Sequence, residues 1–261
     1  MTVALAPARP QDLVASEWIK LRSLRSTYFM LLAAAVIALA IGMVVCSVDA
    51  SEVAHPLRHT PVDPLADSFI GFVIAQLIFA ALGVLAMTGE YSSGLIRITF
   101  AAVPARRAVL AAKAAVICMV TLAVGLVTAL AAFLAGQAIL STQHLGISLS
   151  HPDAARAIIA AGVFLPAVAL TGLAVGVLIR NAAGALAVVV AVLFVVPSFL
   201  SGSNRWVVDI ANALPPTAIR RLVSLHPVPH APSVTECVIV IIAYPLLTLI
   251  AAAIVLHRRD T

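Results

Sequence analysis

This chain has very little charge: Asp, Glu, Lys and Arg make up only 10% of its 261 residues, where a soluble globular domain carries roughly a quarter. With 62% hydrophobic residues and a mean hydropathy of +1.12, a water-soluble fold is excluded and a polytopic membrane protein is indicated. Cysteine is nearly absent too. Cys46, Cys118 and Cys237 each fall inside an apolar run, where a small buried hydrophobe is the ordinary role and neither a disulfide framework nor a metal spacing exists.

Sustained alternation of polar and apolar residues is also missing, which disfavours a membrane β-barrel. The apolar runs are instead rich in Ala, Val, Leu and Ile, and a helix satisfies every backbone group from within. The fold class is therefore all-α. About 20 apolar residues at about 1.5 Å each cross a hydrocarbon core of about 30 Å, and six segments qualify: Tyr28 to Val48, Phe69 to Met87, Ala108 to Leu140, Ala154 to Ile179, Ala182 to Leu200 and Cys237 to Leu256. The third is long enough that it must tilt or project. The first exceeds the short apolar core of a cleavable signal peptide. Residues 1–27 then form an N-terminal segment ahead of a six-helix domain over residues 28–261.

Catalytic signatures are absent as well. A phosphate-binding loop needs Gly-x-x-x-x-Gly-Lys-Ser/Thr, so that backbone amides and a lysine cradle the phosphates. Gly89 and Gly94 in GEYSSG have the glycine interval, but Leu95 stands where lysine is required. The spans offer mostly Gln76, Gln137, threonines and Tyr244, with no acid, histidine or lysine near a midplane for intramembrane chemistry. Gln76 has two readings, lining a pathway or bonding between packed helices. Histidine pairs occur four apart in HPLRH (His55, His59) and HPVPH (His226, His230), but the intervening prolines work against a regular helix presenting both rings and no Cys or carboxylate cluster joins them. No metal site follows.

What charge there is has a pattern. Placing the N-terminus inside puts eleven of the 16 basic residues and four of the 11 acids on the cytoplasmic side, +7 against −2 outside. Both termini are then cytoplasmic. The net charge of +5 needs no nucleic-acid partner, since these basic residues suit anionic lipid.

Two segments stand out from this background. Before the first span, DLVASEWIKLRSLRSTY sets Leu13, Val14, Trp18, Leu21 and Arg25 at helical spacing, with Glu17, Lys20 and Arg22 around the rest of the turn. This reads as an interfacial helix, or as an ordinary basic flank with a Trp anchor. Between the second and third spans lies GEYSSGLIRITFAAVPARR, residues 89–107. Burying its Glu90, Arg97, Arg106 and Arg107 at the bilayer centre would cost about 3 kcal/mol each, so it does not cross. Tyr91, Leu95, Ile98 and Ala102 recur on one helical face, Val103 before Pro104 is biased away from helix, and Pro104 suits the first turn of the third span. The segment alone is equally an interfacial helix with no partner.

Glu17, Trp18, Lys20, Arg22 and Ser23, followed by the series Glu90, Gly94, Pro104, Arg107 and Lys113, resemble ABC-2 type transporter permeases, especially the six-span permeases of actinobacterial exporters. The resemblance implies a subunit of the bacterial cell membrane that works as a homodimer or heterodimer with a related permease. It implies a separate cytoplasmic P-loop ATPase carrying the ATP and Mg. It further implies that the segment after the second span, with Glu90, Tyr91, Leu95, Arg97 and Ile98, is a coupling helix docking on that ATPase. The helix with Glu17, Trp18, Lys20 and Arg22 would lie along the inner membrane surface. The competing class is a six-span membrane enzyme, or a sensor or assembly subunit that transports nothing.

Overall fold

Helix punctuation in this chain is written by proline, glycine and short polar caps, and the computed structural model follows it closely over residues 9–53, 62–200, 205–226 and 231–258. Pro10 occupies the first turn of α1 (Pro10–Ser23), and Asp12 accepts from the Arg9 N–H at 3.3 Å. Leu24 is extended and breaks the chain before α2 (Arg25–Val53). Arg25 therefore opens the first span and does not share a face with Leu13, as the spacing suggested. Asp63 caps α3 (Pro64–Phe69), which runs into α4 (Phe72–Ser92) through a one-turn irregularity.

At Gly94, with φ +71°, the backbone enters the left-handed region that glycine adopts without strain. The turn there separates α4 from α5 (Leu95–Ala102). Val103 is extended, as its place before proline requires. Pro104 lies outside the next helix, not in its first turn: α6 (Arg106–Leu140) has Ala105 as its N-cap. At 35 residues α6 is about 50 Å long, so its first turns project beyond a core of about 30 Å.

The remaining spans are α7 (Pro152–Ile179), the α8 (Ala182–Val190) and α9 (Val196–Phe199) pair, and α12 (Val234–Arg258), with two short helices α10 (Arg205–Asn212) and α11 (Pro215–Leu222) between them. Residues 191–195 join α8 to α9 as a π-turn. Pro197 accounts for it, since it has no N–H for the carbonyl four residues earlier and its ring crowds that carbonyl. All described regular structure is helical, and six of these segments are long and apolar enough to cross a membrane.

Span four, α7, is the hub, packed on α4, α6 and α12. Contact with α4 is close because Gly172 and Gly176 face Ala80 and Val84: a Cβ on Gly172 would stand 2.2 Å from the Ala80 carbonyl oxygen. The small-x-x-x-small face is thus used inside the chain. Gly172→Ala is expected to cost about 1–3 kcal/mol through overpacking, read as a lower melting temperature in detergent. Gly89→Ala should be neutral or better, as a Cβ there meets nothing within 4 Å.

A break at Ala213 and Leu214 separates α10 from the short helix α11. Pro215 and Pro216 start α11, occupying first-turn positions where a missing N–H costs nothing. Pro215, Ala218, Ile219 and Leu222 are buried under the bundle end. Of the histidine pairs, His55, His59 and His230 lie outside the described residues.

Candidate functional site

Leu13 and Glu17, one turn apart on α1, are the two residues that helix buries. Leu13 packs on Val109 and Ala112 near the start of α6. That contact sets the register, because Lys113 follows Val109 by the same four residues and so meets Glu17. A Glu17 carboxylate oxygen accepts from Lys113, and the other accepts from Lys20 at 2.7 Å. Glu90, in the last turn of α4, closes the group: its Oε1 accepts from Lys113 at 2.8 Å and from Lys20 at 3.0 Å.

Two carboxylates and two ammonium groups therefore alternate in a ring drawn from α1, α4 and α6. Glu17, Glu90 and Lys113 are only 4%, 7% and 6% exposed, so each charge depends on the others for the solvation it has lost. Burial opposes the charge on Lys20, but hydrogen bonds and attraction from Glu17 and Glu90 outweigh it and hold its pKa above the ordinary lysine value.

This ring corrects two sequence expectations. Glu17 does not lie on the polar side of α1, since it is the inward residue, while Trp18, Val14 and Ile19 are exposed apolar groups and Arg22 is exposed. Glu90 does not lie on an outer docking surface, since it is buried against two lysines of its own chain. Glu17 and Lys20 are neighbours three apart on α1, but nothing in the spacing announces their meeting with Glu90 and Lys113. Only the helix packing brings them together.

The segment after α4 has an inner and an outer side. Ile96 is buried, and Phe100 packs beside Leu13, Val109 and Ala112 with the Arg106 guanidinium 5.3 Å from its ring. Leu95 and Ile98 are 38% and 68% exposed, and Arg97 and Ala102 are exposed beside them. Tyr91 is half-buried, with the Arg180 guanidinium 5.3 Å from its ring. Arg180 itself sits at the turn between α7 and α8 with φ 58°. So α5 is held on its inner side and presents Leu95, Arg97 and Ile98 outward.

Among the described residues Gln76 bridges to no second helix. It is 3% exposed, and its Nε2 donates to the Val73 carbonyl of its own helix at 3.0 Å.

At the opposite end of the bundle a second polar group went unread in the sequence. Asp63 Oδ2 accepts from the Ser224 hydroxyl at 2.6 Å and from the Leu225 N–H at 2.9 Å. Arg156 donates to the Leu222 and Ser224 carbonyls at 3.1 and 3.2 Å. Burial would raise the Asp63 pKa, but the Ser224 hydroxyl and the N–H groups of Ala66, His226 and Leu225 prevail and lower it. Gln137 ties α3 to the end of α6, donating to Pro64 O at 2.8 Å and accepting from Ile147 N–H. The Asp63–Pro64 pair was the available signal: an acid before proline is a helix-start pattern.

Comparison with known proteins agrees with this architecture. None of the curated proteins matches the chain. The family described as ABC-2 family transporter protein matches over residues 13–198, more than half of the length, a stretch that includes the whole ionic ring and the α5 segment. The chain thus belongs to the ABC-2 transporter family, as a multi-pass membrane permease component of an ABC transporter that is not itself catalytic.

Proposed function

We propose that this chain is the transmembrane subunit of an exporter, acting as a homodimer or with a related permease, and driven by cytoplasmic P-loop ATPase subunits that bind the ATP and Mg. The observation that carries the reading is the pose of α5. It is fixed to the bundle through Ile96 and Phe100, yet exposes Leu95, Arg97 and Ile98. Two large apolar residues beside an arginine make the kind of patch a docked ATPase would cover.

In this reading the α1 and α5 end is cytoplasmic, in accord with the excess of basic residues there. Closure of the ATPase pair would push on α5, and the push would reach α6 through Phe100 and Val103 and α4 through the turn at Gly94. Both helices also hold the ionic ring, so α1 would move with them as one rigid unit. Such a shift drives alternating access only if the ATPase contacts differ between its two states. Alone, the purified chain should hydrolyse no ATP, and pull-down from native membranes should recover a P-loop protein. Intrinsic hydrolysis, or recovery of no such protein, would overturn the reading.

A further inference from the structure

Beside the ionic ring lies a cleft of about 360 Å³ between α1, α4 and α6, within the size range of small-ligand sites. One end is polar, formed by Glu17, Lys20, Glu90 and Lys113, and the walls are apolar, including Leu21, Leu85, Val116 and Ile117. Leu24 and Leu85 on its rim are 53% and 42% exposed, so the cleft opens toward lipid.

The polar end is incomplete. Glu90 is 7% exposed, and its Oε2 is buried with no hydrogen-bond donor among the described residues, a costly condition for a carboxylate oxygen. Lys20 spends two of its three N–H groups on Glu17 and Glu90, and its side chain is 29% exposed, leaving one N–H for an acceptor. The site therefore offers a buried acceptor for a cationic donor next to a donor for an anion, at the polar end of an apolar slot.

We propose that this cleft binds a phospholipid with a primary ammonium head group, of the phosphatidylethanolamine type, from the leaflet at the α1 end. Its ammonium donates to Glu90 Oε2, its phosphate accepts from Lys20, and an acyl chain lies along Leu21, Leu85 and Val116. A quaternary ammonium head group has no N–H to give Glu90. The proposal does not depend on transport direction or on the ATPase.

The test is native mass spectrometry of the delipidated full-length chain, titrated with dioleoyl phosphatidylethanolamine or dioleoyl phosphatidylcholine, with free phosphoethanolamine as competitor. One equivalent of the ethanolamine lipid should bind about tenfold more tightly than the choline lipid, the scale of one charge-assisted hydrogen bond, and free phosphoethanolamine should compete weakly because it lacks the chains. Glu90→Gln should erase the preference. Leu85→Trp, which fills the slot without touching the ring, should weaken both lipids. Equal binding of the two lipids by the unaltered chain, an unchanged preference in Glu90→Gln, or unchanged binding of both lipids in Leu85→Trp would overturn the proposal.

Discussion

Replacing Lys113 with methionine should destabilise the permease by about 3–5 kcal/mol, the range for breaking a buried ion pair from one side. Lys113 is the ammonium that both buried carboxylates share, so its loss leaves Glu17 and Glu90 facing each other with only the half-exposed Lys20 between them. The sign of a second measurement separates this mechanism from simple loss of packing. Adding Glu17→Gln and Glu90→Gln to Lys113→Met should restore part of the stability, because the stranded charges are removed and Lys20 can extend toward water. Thermal melting in detergent measures the change, and protease cutting within residues 10–23 reports release of α1. A Lys113→Met variant within about 0.5 kcal/mol of the unaltered chain, or a triple variant weaker than the single one, would refute the ring as a stabilising unit.

Ile98→Asp should weaken recruitment of the ATPase strongly while leaving the membrane fold intact. Ile98 is 68% exposed and touches little of its own chain, so a carboxylate there is solvated until a partner arrives. At a buried centre of an interface the same carboxylate would lose its water, and a loss of about 2 kcal/mol or more, roughly thirtyfold in affinity, is expected. Arg97→Glu should act more weakly and with stronger salt dependence, as charges at an interface rim do. Glu90 is unsuitable for this test, since reversing it would place three cations around a buried site. Co-purification of the P-loop protein and transport, compared at equal expression, decide the matter. Unchanged values for both Ile98→Asp and Arg97→Glu would reject docking at α5.

The contrast between these two residues shows how far the sequence reaches at the site. Glu90 and Ile98 both stood out as members of one unusual segment, and charge cost alone was enough to exclude that segment from the membrane. Which of them faces inward was not legible. The apolar face drawn through Tyr91, Leu95, Ile98 and Ala102 ran across one continuous helix, but Gly94 turns the chain and resets the phase, so Ile96 and Phe100 pack inward while Leu95 and Ile98 stay exposed.

By itself the sequence determined the class and the number of spans, because apolar length and proline or glycine stops act through neighbouring residues alone. The long third span and the break before Pro104 are of this kind. Tertiary structure alone decided the partners of charged and polar groups. Glu17 and Lys113 are 96 positions apart, and Asp63 and Ser224 are 161 apart; nothing local links either pair. Their meeting follows from the packing of α1, α4 and α6 at one end and of α3, α7 and α11 at the other. Few charged groups exist in this chain, and the fold turned several of them inward upon each other where spacing alone would have left them to solvent or a partner.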